Sequence, residues 1–184
     1  MQMLNLSIQP PAQAQPGMTL CPPVAALLSS RANMYNELSQ YWTIATLIDQ
    51  NGETLSDQLG GRVSDSAHPM PSTSSNHRSR NHDGSRDQAY FYFPDLVIYY
   101  PGRYRIRVML MRMDFSYESS EGVAVVEDYA DSHSITVEEG APSQSRPSKC
   151  PQGVSIMLLT PKGSREREFL RILGQDGQDV PSFA

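Results

Sequence analysis

Cysteine is scarce in this sequence, and long apolar runs are missing. Only two of its 184 residues are cysteine, Cys21 and Cys150, and neither belongs to a CxxC pair or lies near a histidine pair, so we expect no zinc site. A disulfide between them stays open, but no charged or apolar leader within residues 1–11 points to secretion. No apolar run approaches the roughly 20 residues that a membrane helix needs. We therefore expect a soluble, intracellular protein with no membrane partner.

Lysine is also rare, since it occurs only at Lys149 and Lys162, and arginine supplies the remaining positive charge. The formal net charge of −5 argues against a protein wholly devoted to nucleic acid, but it leaves room for a local basic face. Arginine suits bidentate contacts with carboxylates and phosphates better than lysine does. Compositional drift is the simpler explanation of the same bias.

The sequence patterns of common catalytic sites are missing as well. There is no G-x-S-x-G, no P-loop, no G-x-G-x-x-G and no H-E-x-x-H. Three histidines share a polar stretch, but their spacing is irregular and no cysteine accompanies them: His68, His77 and His82. A solvated loop is favoured over a metal cluster there. We therefore expect no enzymatic activity, no cofactor, no metal and no small-molecule substrate.

Short stretches that alternate apolar and polar residues, or that are rich in aromatic and β-branched residues, predict strands. They lie at about 4–8, 24–29, 41–49, 89–99, 103–115, 122–128, 133–138 and 154–159. Residues 33–40 are expected to form a loop or one helical turn. Because βαβ rhythm, repeats and heptads are missing, the predicted fold class is all-β, a sandwich rather than a barrel, with a few short helices.

The composition changes sharply between residues 64 and 88, where serine, asparagine, histidine and arginine dominate and aliphatic residues nearly vanish. Such a segment buries too little apolar surface to offset its ordering entropy, so it predicts a disordered insertion at about 64–88. The predicted domain covers residues 1–161, and a short helix and polar tail follow over 162–184. Ser164 is a candidate cap for a helix through Leu173 that carries Phe169, Leu170 and Leu173 on one side.

The run from Arg103 to Phe115 has two faces of different character. One face suits the core and carries Tyr104, Ile106, Val108 and Leu110. We expect three aromatic residues of other strands to share this core: Phe91, Phe93 and Trp42. The other face is first cationic and then apolar: Arg103, Arg105 and Arg107, followed by Met109, Met111 and Met113.

Two interpretations of this second face stay open. In the first, another element covers the strand, and the arginines are solvated or pair with acidic residues such as Glu127 or Glu138. In the second, the face is a contact surface, on which methionine supplies adaptable packing to a partner and arginine binds acids or phosphates.

Several motifs occur in an order that resembles the fungal velvet family of nuclear regulators. The strongest are FYFPDL at 91–96 and GRYR at 102–105. IQPPA at 8–12 is similar to the family's opening strand, CPPV at 21–24 to the entry of its next strand, and SKC at 148–150 with QGVSI at 152–156 to its closing motif. The order and rough spacing agree over about residues 4–160.

The resemblance implies an immunoglobulin-like β-sandwich similar to the Rel-homology fold. It also implies a nuclear regulator, shuttling with the cytoplasm, of sporulation, development and secondary metabolism. Such a regulator acts as a homodimer or a heterodimer with other velvet proteins and binds DNA. The candidate DNA-binding residues are Arg103, Arg105, Arg107, Arg31 and Lys149, and the candidate dimer or partner interface is Met109, Met111 and Met113.

The chain departs from the family pattern after the opening strand. Where the family usually carries a basic stretch, this chain has Gln13, Ala14, Gln15 and Pro16, and no basic residue precedes Arg31. Each missing phosphate contact weakens binding and flattens its salt dependence. An alternative function is therefore a velvet-like interaction module that regulates through a partner and does not bind DNA itself.

Overall fold

The two larger β-sheets face each other across an apolar core, and a further two-stranded sheet pairs Leu59–Gly60 with Val97–Ile98. The computed structural model describes residues 3–30, 35–70, 87–116, 122–140, 164–178 and 180. Its strands are β1 (Met3–Ile8), β2 (Gln13–Ala14), β3 (Val24–Ser30), β4 (Tyr41–Ile48), β5 (Leu59–Gly60), β6 (Ser64–Ser66), β7 (His68–Pro69), β8 (Asp87–Phe93), β9 (Val97–Ile98), β10 (Gly102–Asp114), β11 (Val123–Asp131) and β12 (Ile135–Val137). The first sheet has the order β1-β3-β8-β7. The second has the order β2-β12-β10-β4-β6, and β11 also pairs with β10.

This architecture confirms the predicted all-β sandwich. Each predicted strand among the described residues has a counterpart, whereas the strand predicted at 154–159 lies outside them. The helices are α1 (Ser164–Gln175) and two 3₁₀ turns, Tyr35–Gln40 and Ser56–Gln58. In the described ranges, no helix is long and apolar enough to cross a bilayer.

The core forms because alternate residues of facing strands point inward. In β10 the buried residues are Tyr104, Ile106, Val108 and Leu110, as predicted, and they pack in one cluster with Phe91 and Phe93. The placement of Trp42 in the core was wrong. Its neighbour Tyr41 is buried in the cluster, so alternation turns Trp42 to the outer face, where it lies opposite Met111.

The disordered insertion predicted at 64–88 was also wrong at its two ends. Residues 64–66 pair with β4, residues 68–69 pair with β8, and Asp87 and Gln88 belong to β8. The composition misleads here because polar side chains stabilise this edge. The Oδ2 atom of Asp65 accepts the backbone N–H of Tyr92 at 2.7 Å and so links the two sheets. Residues 71–86 lie outside the described ranges.

Cys21 is buried and disulfide-bonded. The chain's other cysteine, Cys150, lies outside the described residues.

The helix α1 lies on the outer face of the first sheet. As predicted, Phe169, Leu170 and Leu173 are buried together on one side of it. They pack with Ile8, Ala25, Tyr90 and Tyr92 of the sheet. The first sheet is therefore apolar on both faces, and α1 covers its outer one.

A polar cluster joins the end of α1 to this sheet. The Tyr90 hydroxyl donates to a carboxylate oxygen of Asp176, and the Tyr90 ring stacks on His68 with the ring centroids 4.9 Å apart. Burial, together with the hydrogen bond to Asp176, raises the pKa of Tyr90. The hydrogen bond from His68 Nε2 to Asp65 Oδ1, 3.2 Å long, raises the pKa of His68. The negative charge of Asp176 acts in the same direction, and burial and Arg62 oppose it.

His68 is expected to make the free energy of unfolding depend on pH. Because the folded-state pKa is raised above 6.5, the contribution of His68 is complete below about pH 6.5 and is lost as the pH rises through the raised pKa. Denaturant titrations between pH 6 and 8 should show stability falling with pH, and His68→Gln should flatten that fall. His133→Gln is the matched control, because His133 is exposed and the hydrogen bond of its ring is to a backbone carbonyl, that of Ser134, not to a carboxylate. An unchanged slope in His68→Gln would contradict this role.

Candidate interaction surface

The outer face of the second sheet carries an apolar patch built from three adjacent strands. Directly paired residues of antiparallel strands point to the same side. Tyr129, Met109 and Ile44 therefore form one row across β11, β10 and β4, and Val126, Met111 and Trp42 form the next. Met113 continues the patch beside Ala124. We call these seven large side chains the methionine face: Trp42, Ile44, Met109, Met111, Met113, Val126 and Tyr129.

The methionine face is open at its β11 side. Val126 and Tyr129 are each 56% exposed, and the methionines are half-buried by their neighbours within the sheet. Phe115, just beyond β10, is 63% exposed. The helix that covers a sheet face in the described part of the chain, α1, lies on the other sheet. Adjoining exposed apolar side chains of this kind are typical of a protein-binding surface.

An ion pair closes one end of the methionine face. Arg107 pairs with Asp131 there, and its guanidinium lies over the ring of Tyr129. Arg112, whose Nε donates to Glu127, lies on the inward side of β10, opposite the buried Tyr41. At the Arg107 end, an apolar partner would therefore meet charges that are already paired and would not have to supply counter-charges.

The arginines of β10 lie at the opposite end of the strand from Met113, on the same face as the methionines. We call Arg103, Arg105 and Arg107 the arginine end. Arg107 binds Asp131 through two hydrogen bonds, Nε to Oδ1 at 2.6 Å and Nη2 to Oδ2 at 2.8 Å. Arg105 Nη1 lies 3.7 Å from the same Oδ2. The guanidinium of Arg107 holds the pKa of Asp131 below its usual range.

Arg103 differs from the other two arginines. It is exposed, and it has no ion-pair partner among the described residues. It lines two shallow depressions, one of about 690 Å³ bordered by Pro101 and Glu138, and one of about 220 Å³ bordered by Asp49 and Arg105. Within the arginine end, Arg103 is therefore the side chain best placed to meet an anion.

Gln13, one of the positions where the sequence resemblance led us to expect a basic residue, lies in line with Arg103. Thr136 of β12 pairs with Arg103 on one side and with Gln13 of β2 on the other. Gln13, Thr136 and Arg103 therefore form one row across three strands, and both Gln13 and Arg103 are exposed. Gln13 and Arg103 thus belong to the same patch of surface.

Sequence reasoning placed some of these residues and missed others. The arginines and methionines share one face, as the alternation predicted, while Arg31 and Lys149 lie outside the described residues. The ion pairs expected with Glu127 or Glu138 are made instead with Asp131, because the strand predicted at 122–128 continues to Asp131. The alternation that continues through Tyr129 and Asp131 could have indicated that the strand extends to Asp131. No group of three or more potential metal ligands occurs in the described part of the chain.

Comparisons with known proteins add little to this picture. No protein-family model matches the chain, and no curated protein sequence matches it. Among solved structures, the chain is similar to one concerned with fibronectin binding and biofilm formation by the AAF fimbriae of enteroaggregative Escherichia coli. That likeness has 12% identity and a TM-score of 0.31, and it covers 75% of this chain and 100% of the other. At these values it carries no argument about function.

Proposed function

We propose that this chain is a velvet-type transcriptional regulator that works as a dimer and contacts DNA. The sandwich would then be immunoglobulin-like in the manner of the Rel-homology fold. The setting is the nucleus, with shuttling to the cytoplasm, and the processes are fungal development, sporulation and secondary metabolism. The partner is a second copy or another velvet protein. This proposal rests on the motifs at 8–12, 21–24, 91–96 and 102–105, which fall on strands and turns of one sandwich.

The observation that carries the proposal is the division of one sheet face into two parts. Along β10, the same side presents Arg103, Arg105 and Arg107 and then three methionines. The apolar part suits a protein partner, because methionine and aromatic side chains are enriched at interfaces. The cationic part suits a phosphate backbone, because alternate residues of a strand project about 6.6–6.8 Å apart and arginine binds phosphate bidentately.

The two parts are also compatible in space. A second chain on the methionine face would leave Arg103 exposed at the far end of β10, where the sheet continues through Thr136 to Gln13. In a symmetric dimer each chain would contribute one such end, so two copies would supply two phosphate-binding patches to one duplex. Contacts of this kind position a protein on DNA without reading its sequence.

The proposed DNA contact can be tested by adding a positive charge to the row formed by Gln13, Thr136 and Arg103. Gln13→Arg would place a second exposed cation in line with Arg103, and it should tighten DNA binding and steepen the dependence of log K on log salt by up to about 0.9. Gln175→Arg is the control, because it adds the same charge at the exposed end of α1, which lies on the other sheet, and not in the row. Equal effects of the two variants would show only a general gain of charge and would contradict a contact at this row.

The alternative function, an interaction module that does not bind DNA, has one observation in its favour. Two of the three arginines share the carboxylate of Asp131, and glutamine replaces the expected basic residues at positions 13 and 15. Under this alternative the methionine face alone would be functional, and the DNA contacts of a complex would come from a partner.

A mobility-shift assay separates the two functions. The chain should be titrated onto duplex DNA alone and together with a velvet protein that carries the basic stretch, at several salt concentrations. Shifts by the chain alone that weaken with salt support the regulator that binds DNA itself. The interaction module is supported if DNA shifts only when the partner is present. The salt slope of that shift should then stay unchanged when Arg103, Arg105 and Arg107 are replaced by glutamine.

A further inference from the structure

One carboxylate holds two of the three arginines that face outward from β10. Asp131 accepts two hydrogen bonds from Arg107, at 2.6 and 2.8 Å, and its Oδ2 lies 3.7 Å from Arg105 Nη1. Two N–H donors of the Arg107 guanidinium are therefore both taken up by one planar carboxylate. A DNA phosphate would use the same two N–H donors in the same side-on manner.

The backbone fixes Asp131 at this place. It is the last residue of β11 and pairs directly with Arg107. The next residue, Ser132, is buried, its N–H donates to the carbonyl of Ile106 at 2.8 Å, and its hydroxyl accepts the N–H of Ile106 at 2.9 Å. Only the side chain of Asp131 can therefore move away from the arginines while the strand keeps its register.

The aromatic ring of Tyr129 would keep Arg107 in place if the carboxylate left. The Arg107 guanidinium carbon lies 4.4 Å from the centroid of that ring, on the same outer face. Cation–π contact of this type holds a guanidinium flat and leaves its N–H edge available. Arg107 is thus prepositioned for an anion, with Asp131 as its present occupant.

We propose that Asp131 is an autoinhibitory group whose carboxylate occupies the donors of Arg105 and Arg107 that a DNA phosphate would otherwise take. This inference rests on the proposed DNA-binding function. It assigns to the isolated chain a DNA surface in which Arg103 is available and the other two arginines are masked. Binding of DNA then requires the phosphate to displace Asp131, or requires that the charge of Asp131 be removed.

The test is the salt dependence of DNA binding by the full chain and its Asp131→Asn variant. Neutralising Asp131 should tighten binding about tenfold or more at low salt, and should steepen the slope of log K against log salt by up to about 1.8 if both arginines gain a phosphate. Glu138→Gln is the matched control, because it removes the same charge beside Arg103 without releasing an arginine. It should leave the slope nearly unchanged.

A second substitution separates unmasking from a general change of charge. Arg107→Gln should have little effect in the wild-type chain, where Arg107 is masked, but should cancel most of the gain in the Asp131→Asn background. If Asp131→Asn melts below the assay temperature, Asp131→Ser serves as the second neutral variant.

The outcomes distinguish this inference from the function on which it rests. Asp131 variants that bind like the wild type, while Arg103→Gln weakens binding, overturn the autoinhibitory role and leave DNA binding intact. A gain equal to that of Glu138→Gln also overturns it. If neither the wild type nor any variant binds DNA, alone or with a velvet partner, the proposed DNA function fails, and the inference fails with it.

Discussion

Replacing Phe93 by alanine is expected to lower the free energy of unfolding by about 3–5 kcal/mol. Phe93 is fully buried, pairs with Val24 of the neighbouring strand, and belongs to the cluster that both sheets share. Truncation removes the burial of an aromatic ring and leaves a cavity that the two sheets cannot close without shifting. Urea titration followed by circular dichroism measures the change.

Tyr100→Ala is the control for this prediction. Tyr100 is 58% exposed in the turn before β10, so its removal should change stability by no more than about 0.5 kcal/mol. If Phe93→Ala and Tyr100→Ala unfold at the same denaturant midpoint as the wild type, the inward orientation of β8 is wrong.

Replacing Val126 by arginine is expected to break the association of two chains. Val126 is 56% exposed on the outermost strand of the methionine face, where it lies opposite Met111. The substitution leaves the core of the monomer untouched, but in a dimer formed through this face it would bury an unpaired charge, which costs several kcal/mol. We expect the dissociation constant to rise about 100-fold or more, as measured by sedimentation velocity over a range of concentrations.

The same substitution on the opposite side of the same strand provides a matched control. Val123 is 42% exposed and pairs with Asp114, whereas the outward Ala124 pairs with Met113. Val123→Arg should therefore leave the association constant unchanged within a few-fold. Two variants that associate equally well would place the interface elsewhere.

Much of the fold follows from period-two alternation, because a strand with one buried face must show it. The buried series Tyr104, Ile106, Val108 and Leu110 of β10 is visible in the sequence and is buried in the structure. The core assignment of Trp42 departed from this alternation, because its buried neighbour Tyr41 occupies the inward position.

Composition fails where polar side chains replace apolar burial. The segment 64–70 is poor in aliphatic residues, but Asp65 bonds both the N–H of Tyr92 and the ring of His68. These contacts link two short edge strands, one in each sheet. The sequence shows that an aspartate is present. It does not show that a distant backbone N–H needs an acceptor, because that need arises only when the sheets are assembled.

The sequence predicted which side chains share one face of β10, but it did not predict which carboxylates the arginines pair with. Spacing places the three arginines together, whereas the choice of Asp131 over Glu127 or Glu138 depends on strand register, and β11 contains a bulge that shifts it. A one-residue shift reverses which side chains share a face. Register therefore decides which arginines are masked, and only the assembled sheet reveals it.

The mass of the protein–DNA complex tests the central claim most directly. Sedimentation equilibrium of the full chain with a short duplex, at low salt and with the duplex in slight deficit, reports stoichiometry and binding together. A dimeric DNA-binding regulator predicts a complex whose mass exceeds that of the duplex by about 41 kDa, the mass of two chains of 20.5 kDa. Free duplex beside a species of one chain, with or without a velvet partner, would contradict both the dimer and the DNA contact.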